Sequence, residues 1–213
     1  MDVVIFGTGE VADVAAWYIG HESEHRVVAF MLDPEYIKEL RHLGLPVIPF
    51  GEDYLTKDER LFIAMSFKGV NAPRAAKVAE AKAQGCKPFS YFSPRAWAWD
   101  GFVCYPNTFV MEGNVIQPYT TIGEDCIVWS GNHIGHHTTI GDHCFIASHA
   151  VISGHVRIGD NTFIGVNATI RDNVTIGKRC VIGAGALVLH DVPDDSVVLG
   201  PESPVVPRRS TVA

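Results

Sequence analysis

Six of the ten histidines crowd into one stretch of the chain, at positions 133, 136, 137, 143, 149 and 155. A neutral imidazole is the side chain best placed at pH 7 to take a proton from an attacking amine or hydroxyl. Any one of the six, read alone, is a surface residue. The cluster as a whole points to proton transfer.

A second chemical pattern lies near the amino terminus. Gly7-Thr8-Gly9 follows the apolar run Val3-Val4-Ile5-Phe6, with Ala12 close behind and Asp33 further on. Small residues at a strand-to-helix turn let a phosphate approach backbone N–H groups at a helix start. They also make a purely structural turn. A complete dinucleotide fold needs two such halves, and only one is present, so a nucleotide-linked substrate fits better than NAD.

The elements that carry this turn read as a small parallel α/β unit. Residues 3–6 form a buried strand. A helix follows, with its stripe at Val11, Val14, Ala15, Tyr18 and Ile19 and a stop at Gly20. Residues 26–32 form a second strand and residues 61–65 a third. Asn71 caps the next helix and Gly85 ends it. Residues 94–106, with Trp97 and Trp99, read as a packed connector.

From Val110 to Val188 an aliphatic residue recurs at every sixth position, fourteen times without a slip. Neither a helix nor a plain strand has that period. A triangular prism of short strands does, each unit supplying one face and one corner. Three faces close a coil, so a period of eighteen is expected. Thr121-Ile-Gly-Glu-Asp-Cys126, Thr139-Ile-Gly-Asp-His-Cys144, Arg157-Ile-Gly-Asp-Asn-Thr162 and Thr175-Ile-Gly-Lys-Arg-Cys180 are one face met four times. Coils stack at about 4.8 Å, and the small residue after each aliphatic suits a tight corner. Cys126, Cys144 and Cys180 then form a row of half-buried thiols. No Cys-x-x-Cys spacing makes them a zinc site, and no metal is expected.

Composition narrows the class. The 213 residues are 47% hydrophobic and 19% charged, with a net charge of −7, which excludes disorder and argues against a nucleic-acid partner. The longest uncharged stretch, 126–141, carries three histidines, so no membrane span fits. No basic segment precedes the first apolar run, so no signal peptide is visible. With five cysteines that fit reduced thiols, the expectation is a cytoplasmic protein.

The period-six pattern resembles the hexapeptide-repeat acyltransferases over roughly residues 105–190, which implies a left-handed parallel β-helix. A Rossmann-like unit (1–95) ahead of such a helix with a carboxy-terminal cap (96–213) is similar to the sugar acetyltransferases typified by the bacillosamine-pathway N-acetyltransferase and the sialic acid O-acetyltransferase-like family. The resemblance implies an acetyl-CoA-dependent N-acetyltransferase acting on a nucleotide-linked amino sugar, in lipopolysaccharide, surface-polysaccharide or other glycan precursor synthesis. It also implies a homotrimer, with acetyl-CoA lying along the β-helices of neighbouring subunits.

Site residues follow from the same resemblance. Ile134-Gly135-His136-His137 matches the family's Ile-x-His segment, so His136 is expected as the general base. His137 stands where the family often has an acid, which leaves Glu124 or Asp142 as other orienting groups. The family's second histidine, which contacts acetyl-CoA, falls on Phe145, and nearby His149 is its expected substitute. The CoA chain is expected to run past Gly165, Val166, Asn167, Gly183 and Ala184. Gly7, Gly9, Asp33 and Ser66 are the expected nucleotide-sugar contacts, and residues 200–204 resemble the family's closing segment.

Three rival readings remain open on the sequence: a sialic acid-type sugar O-acetyltransferase, a non-catalytic nucleotide-binding assembly module, and a class-γ carbonic anhydrase. The last spaces two zinc-bound histidines five residues apart, and this solenoid has no such pair.

Overall fold

Every one of the fourteen aliphatics occupies the second place of a two-residue strand, and none is more than 3% exposed. In the computed structural model, which describes residues 1–51 and 59–204, strands eighteen residues apart pair in parallel: Ile122 with Ile140, Ile140 with Ile158, Ile158 with Ile176. Among the described residues this gives three sheets, of seven, six and four strands. They enclose a left-handed parallel β-helix. Burying each Ile or Val contributes roughly 1.5–3 kcal/mol, so strands of only two residues suffice when the columns stack.

The corners are set by backbone conformation. A residue with positive φ recurs three places after each aliphatic from Val110 to Ile182, and these residues form three edges. One holds Asn107, Asp125, His143, Asn161 and Arg179; the next Gly113, Gly131, His149, Asn167 and Gly185; the last Tyr119, His137, His155 and Asn173. Gly, Asn, Asp and His tolerate the left-handed region best. Four of the six clustered histidines therefore sit where the fold already favours histidine.

The glycines after the aliphatics have another reason than the tight corner expected of them. Gly135 and Gly165 are not left-handed. A Cβ on Gly135 would stand 2.5 Å from the Ser153 carbonyl carbon, and one on Gly165 2.6 Å from the Ala184 nitrogen. Only glycine lets successive coils approach so closely.

Cys126, Cys144 and Cys180 are not half-buried but wholly inside the prism. Their position turns inward after the corner, where each thiol donates to a carbonyl of the next coil: Cys126 to Gly141, Cys144 to Gly159, Cys180 to Pro193. Thr162 does the same towards Gly177. Burial pushes the Cys126 thiol well above its ordinary pKa.

In the front unit, β1 (Asp2–Phe6), β2 (Arg26–Leu32), β4 (Leu45–Pro49) and β5 (Arg60–Ile63) lie parallel in the order β4-β2-β1-β5. Antiparallel β3 (Arg41–His42) sits outside β4. The β3–β4 hairpin was not expected, because Pro46 and Pro49 disguise β4 as a loop. Helix α1 (Glu10–Glu22) runs through Gly20, the expected stop, and buries Ala12, Ala15 and Ile19. Before α2 (Ala72–Ala83), Asn71 makes no side-chain cap; its carbonyl oxygen accepts from Arg74 instead.

The front unit docks on the seven-strand sheet, where Phe30 and Phe62 share a core with Phe109, Ile127 and Phe145. Segment 94–106 is not only a connector: its Trp97–Ala98 pairs with Val115–Ile116, and Tyr91–Phe92 just before it pairs with Phe109–Val110, which together make the first coil. The solenoid thus has a covered face and two open ones. The six-strand face turns Trp97, Val115, Val151 and Leu187 outward, and the four-strand face turns out Thr121, Thr139, Arg157 and Thr175.

Candidate active site

A cavity of about 710 Å³ opens at the carboxyl ends of β1, β2 and β5, the edge at which open α/β sheets hold ligands. Gly7, Gly9, Asp33 and Ser66, the expected nucleotide-sugar contacts, all line it. Gly7 has φ +119°, and a Cβ there would meet the Ala64 carbonyl oxygen at 2.9 Å, whereas the space over Gly9 is open. Gly9 is also the N-cap of α1 and offers no side chain to its first turn. The first-turn residues Glu10 and Val11 also line the cavity, and the uncapped N–H groups of a helix start suit an anion.

Asp33 does not cap the turn that follows it. Its carboxylate accepts from Lys77 Nζ at 2.7 Å, and that ammonium also donates to Glu80 at 2.6 Å and lies over the Phe6 and Phe50 rings. Burial works to lower the Lys77 pKa, but the two carboxylates outweigh it and the net shift is upward. Lys77 and Lys68 bring two ammonium groups to a cavity that Asp33 and Glu10 also line, and the sequence gives no sign of either lysine. Lys77 lies on α2, which packs beside β5 and so reaches the same sheet edge.

The histidines divide between two edges of the prism. His136 and His137 are exposed on the edge between the two open faces, with their Nδ1 atoms 3.1 Å apart. The backbone N–H of His136 donates to Gln117 Oε1 at 3.0 Å. His155, one coil on, stacks on His137 with ring centroids 4.7 Å apart and stands 5.1 Å from His136. On the preceding coil the Tyr119 ring lies 4.7 Å from that of His137, tilted by 38°. Glu124 and Asp142 are engaged elsewhere: Glu124 accepts from Lys82, and Asp142 accepts the Glu124 N–H.

His149 lies on a different edge, between the covered face and the six-strand face. Its ring lies over Gly131, where a Cβ would meet Cε1 at 2.5 Å. Val166, Asn167 and Ala184 are exposed at the same edge, with Gly165 and Gly183 behind them. The six-strand face therefore separates His136 from His149 and the expected CoA residues. Phe145 is buried under the front unit, packed against Phe67 and Phe163, so the carried-over cofactor position is part of the core between the two units.

The cavity shares Phe67 with the covered face, whereas His136 stands on the edge opposite that face. Within one chain the two lie on opposite sides of the solenoid.

Residues 119–154 and 155–190 match the family described as bacterial transferase hexapeptide (six repeats). No curated protein sequence matches the chain. Among solved structures, the chain is similar to perosamine N-acetyltransferase from Caulobacter crescentus, solved with CoA and GDP-perosamine, at 26% identity and a TM-score of 0.84 over 94% of each chain. The acetyltransferase domain of PglB from Neisseria gonorrhoeae is similar at 24% identity and a TM-score of 0.82, covering 96% of this chain and 99% of that one. WeeI from Acinetobacter baumannii is similar at 19% and 0.68, covering 94% and 97%. At these identities the last two speak for the fold alone.

Proposed function

We propose that this hexapeptide-repeat acyltransferase transfers an acetyl group from acetyl-CoA to the amino group of a nucleotide-linked amino sugar. The observation that carries the reading is the end-to-end likeness to an enzyme solved with CoA and GDP-perosamine. The lysine-bearing cavity and the imidazole edge agree with it.

In this reading Gly7, Gly9, Asp33 and Ser66 hold the nucleotide, with Lys77 and Lys68 near the diphosphate. His136 acts as the general base. With its Nδ1 proton donated to His137, the Nε2 lone pair is free to take the proton of the attacking amine. The nitrogen adds to the thioester carbonyl, the C–S bond then breaks, and the CoA sulfur leaves with a proton. His137 thus does for the imidazole what a carboxylate does elsewhere. A backbone N–H beside a small residue is suited to hold the oxyanion. The CoA chain runs along the edge of His149, Val166, Asn167 and Ala184, where small residues leave the backbone open, and Phe145 supports that edge from within.

The separation of cavity and base within one chain favours a site built by two subunits. Val115, Val151 and Leu187 on the six-strand face suit the contact of a homotrimer. The His136 edge of one subunit then meets the cavity and CoA edge of its neighbour. Synthesis of glycan precursors in the cytoplasm belongs to the same proposal.

The test is CoA release from acetyl-CoA with a panel of UDP-, dTDP- and GDP-linked amino sugars. Turnover with at least one amino sugar nucleotide is expected. Release with hydroxyl acceptors only, or with none, overturns the reading.

A further inference from the structure

The exposed edge that carries His136 holds three imidazoles whose ligand atoms all lie within 4.8 Å of one another. We propose that His136, His137 and His155 bind one divalent transition-metal cation of the zinc, cobalt or nickel type, and that the bound cation silences His136 as a base. The second half rests on the acetyl-transfer reading above; the first does not.

The donor set chooses the class of cation. Three neutral imidazoles and no carboxylate suit zinc and its first-row neighbours, whereas magnesium and calcium require oxygen ligands. Three protein ligands with a fourth position left to water make an open tetrahedral site.

The backbone fixes the three residues before any metal arrives. His137 and His155 have the same φ of 58° on successive coils. The His155 N–H donates to the His136 carbonyl at 2.9 Å, and the His137 N–H to that of Pro118 at 3.1 Å. The 3.1 Å between the Nδ1 atoms of His136 and His137 is close to the roughly 3.3 Å that separates two nitrogens on a tetrahedral zinc. The rings of His137 and His155 lie nearly parallel, 15° apart. Convergence on one ion therefore asks for a turn about χ2, a broad torsion.

Metal on Nδ1 of His136 forces that ring's proton onto Nε2, and metal on Nε2 takes the lone pair directly. Either way the imidazole can no longer accept a proton from substrate.

The probes are Zn²⁺ by titration calorimetry and Co²⁺ by its visible ligand-field bands, on the untagged, metal-stripped full chain. His155→Asn is the diagnostic variant, because Asn173 already holds the equivalent corner one coil on. One Zn²⁺ per chain is expected for the wild type. In His155→Asn, affinity should fall at least by the roughly 10- to 100-fold that even outer-sphere partners of a metal are worth. Metal-free turnover should be unchanged in that variant and its inhibition by Zn²⁺ relieved. Absence of stoichiometric binding, or equal affinity in His155→Asn, overturns the site, because Zn²⁺ then binds elsewhere if at all. Binding at the edge without inhibition overturns the silencing. An enzyme with no turnover on any acceptor that still loses Zn²⁺ affinity in His155→Asn supports the site and removes only the acetyl-transfer reading.

Discussion

Arg74 and Asp125 meet at 3.0 Å with both side chains shut away from water, one on α2 and the other at a corner of the solenoid. The guanidinium also donates to the carbonyls of Asp125 and Cys144. Asn107 donates to the same carboxylate while its carbonyl oxygen accepts the Ile63 N–H at the end of β5. One polar network thus fastens the two units together.

Removing one partner of such a pair strands a buried charge. Arg74→Ala is expected to cost about 3–5 kcal/mol in urea unfolding, whereas Arg74→Met combined with Asp125→Asn should recover most of it. A loss below about 1 kcal/mol for Arg74→Ala would show that water reaches the carboxylate.

His143 faces the same carboxylate, with Nδ1 2.9 Å from Asp125 Oδ2. That hydrogen bond raises the histidine's pKa above 6.5 against the opposing effect of burial, helped by the charges of Asp125, Asp142 and Glu124. A pKa raised in the folded state stabilises it fully below the unfolded value and loses that effect as pH rises through the folded value. Unfolding free energy should therefore decline as pH climbs above 6.5. The decline should flatten in His143→Asn, a substitution the left-handed corner accepts as it does Asn161. Equal slopes in both proteins would assign the decline to other groups.

His136→Ala should lower kcat by roughly 10²–10⁴ and leave the KM for the sugar nucleotide nearly unchanged. His149→Ala should lose less, and mainly in the KM for acetyl-CoA, since His149 shares its edge with Val166 and Ala184. Steady-state kinetics with each substrate varied in turn separates the two. The reverse ranking would move the base to the other edge.

Asp33→Ala should raise the KM for the sugar nucleotide by roughly 10- to 150-fold, the worth of a charge-assisted hydrogen bond, and leave that for acetyl-CoA alone. Because Asp33 holds Lys77 at 2.7 Å, Lys77→Met should act on the same constant, and the double variant should fall short of the product of the two. A lower melting temperature with an unchanged KM would make Asp33 a purely structural partner of Lys77.

Val151→Asp introduces a charge on the apolar six-strand face. Light scattering should then report a monomer without turnover, and calorimetry should still report nucleotide binding at the front cavity. A wild-type protein that is itself a monomer at working concentration would remove the shared site.

The solenoid was legible because its core is one-dimensional: an aliphatic every sixth residue needs no partner beyond its own column. β2 was legible for a similar reason, as a continuous apolar run. The site was harder to read, because adjacency in a prism follows the eighteen-residue coil and not the chain. His137 and His155 are stacked, whereas His136 and His149, closer in sequence, stand on different edges. The period could have placed His155 beside His137. It could not reveal Lys77, which reaches the cavity only through the packing of α2, nor that Gly135 answers to the coil above it.

The edges of this molecule work as a numbered rack. Each rung is a left-handed corner that Gly, Asn, Asp or His fills with little strain, and rungs repeat about every 4.8 Å. Of those four residues, histidine alone brings an imidazole, so a His-for-Asn exchange adds a proton acceptor without disturbing the coil. Asn173→His would set a further ring on the rung beyond His155. Chemistry on such a scaffold is changed by choosing the rung, with the backbone left as it stands.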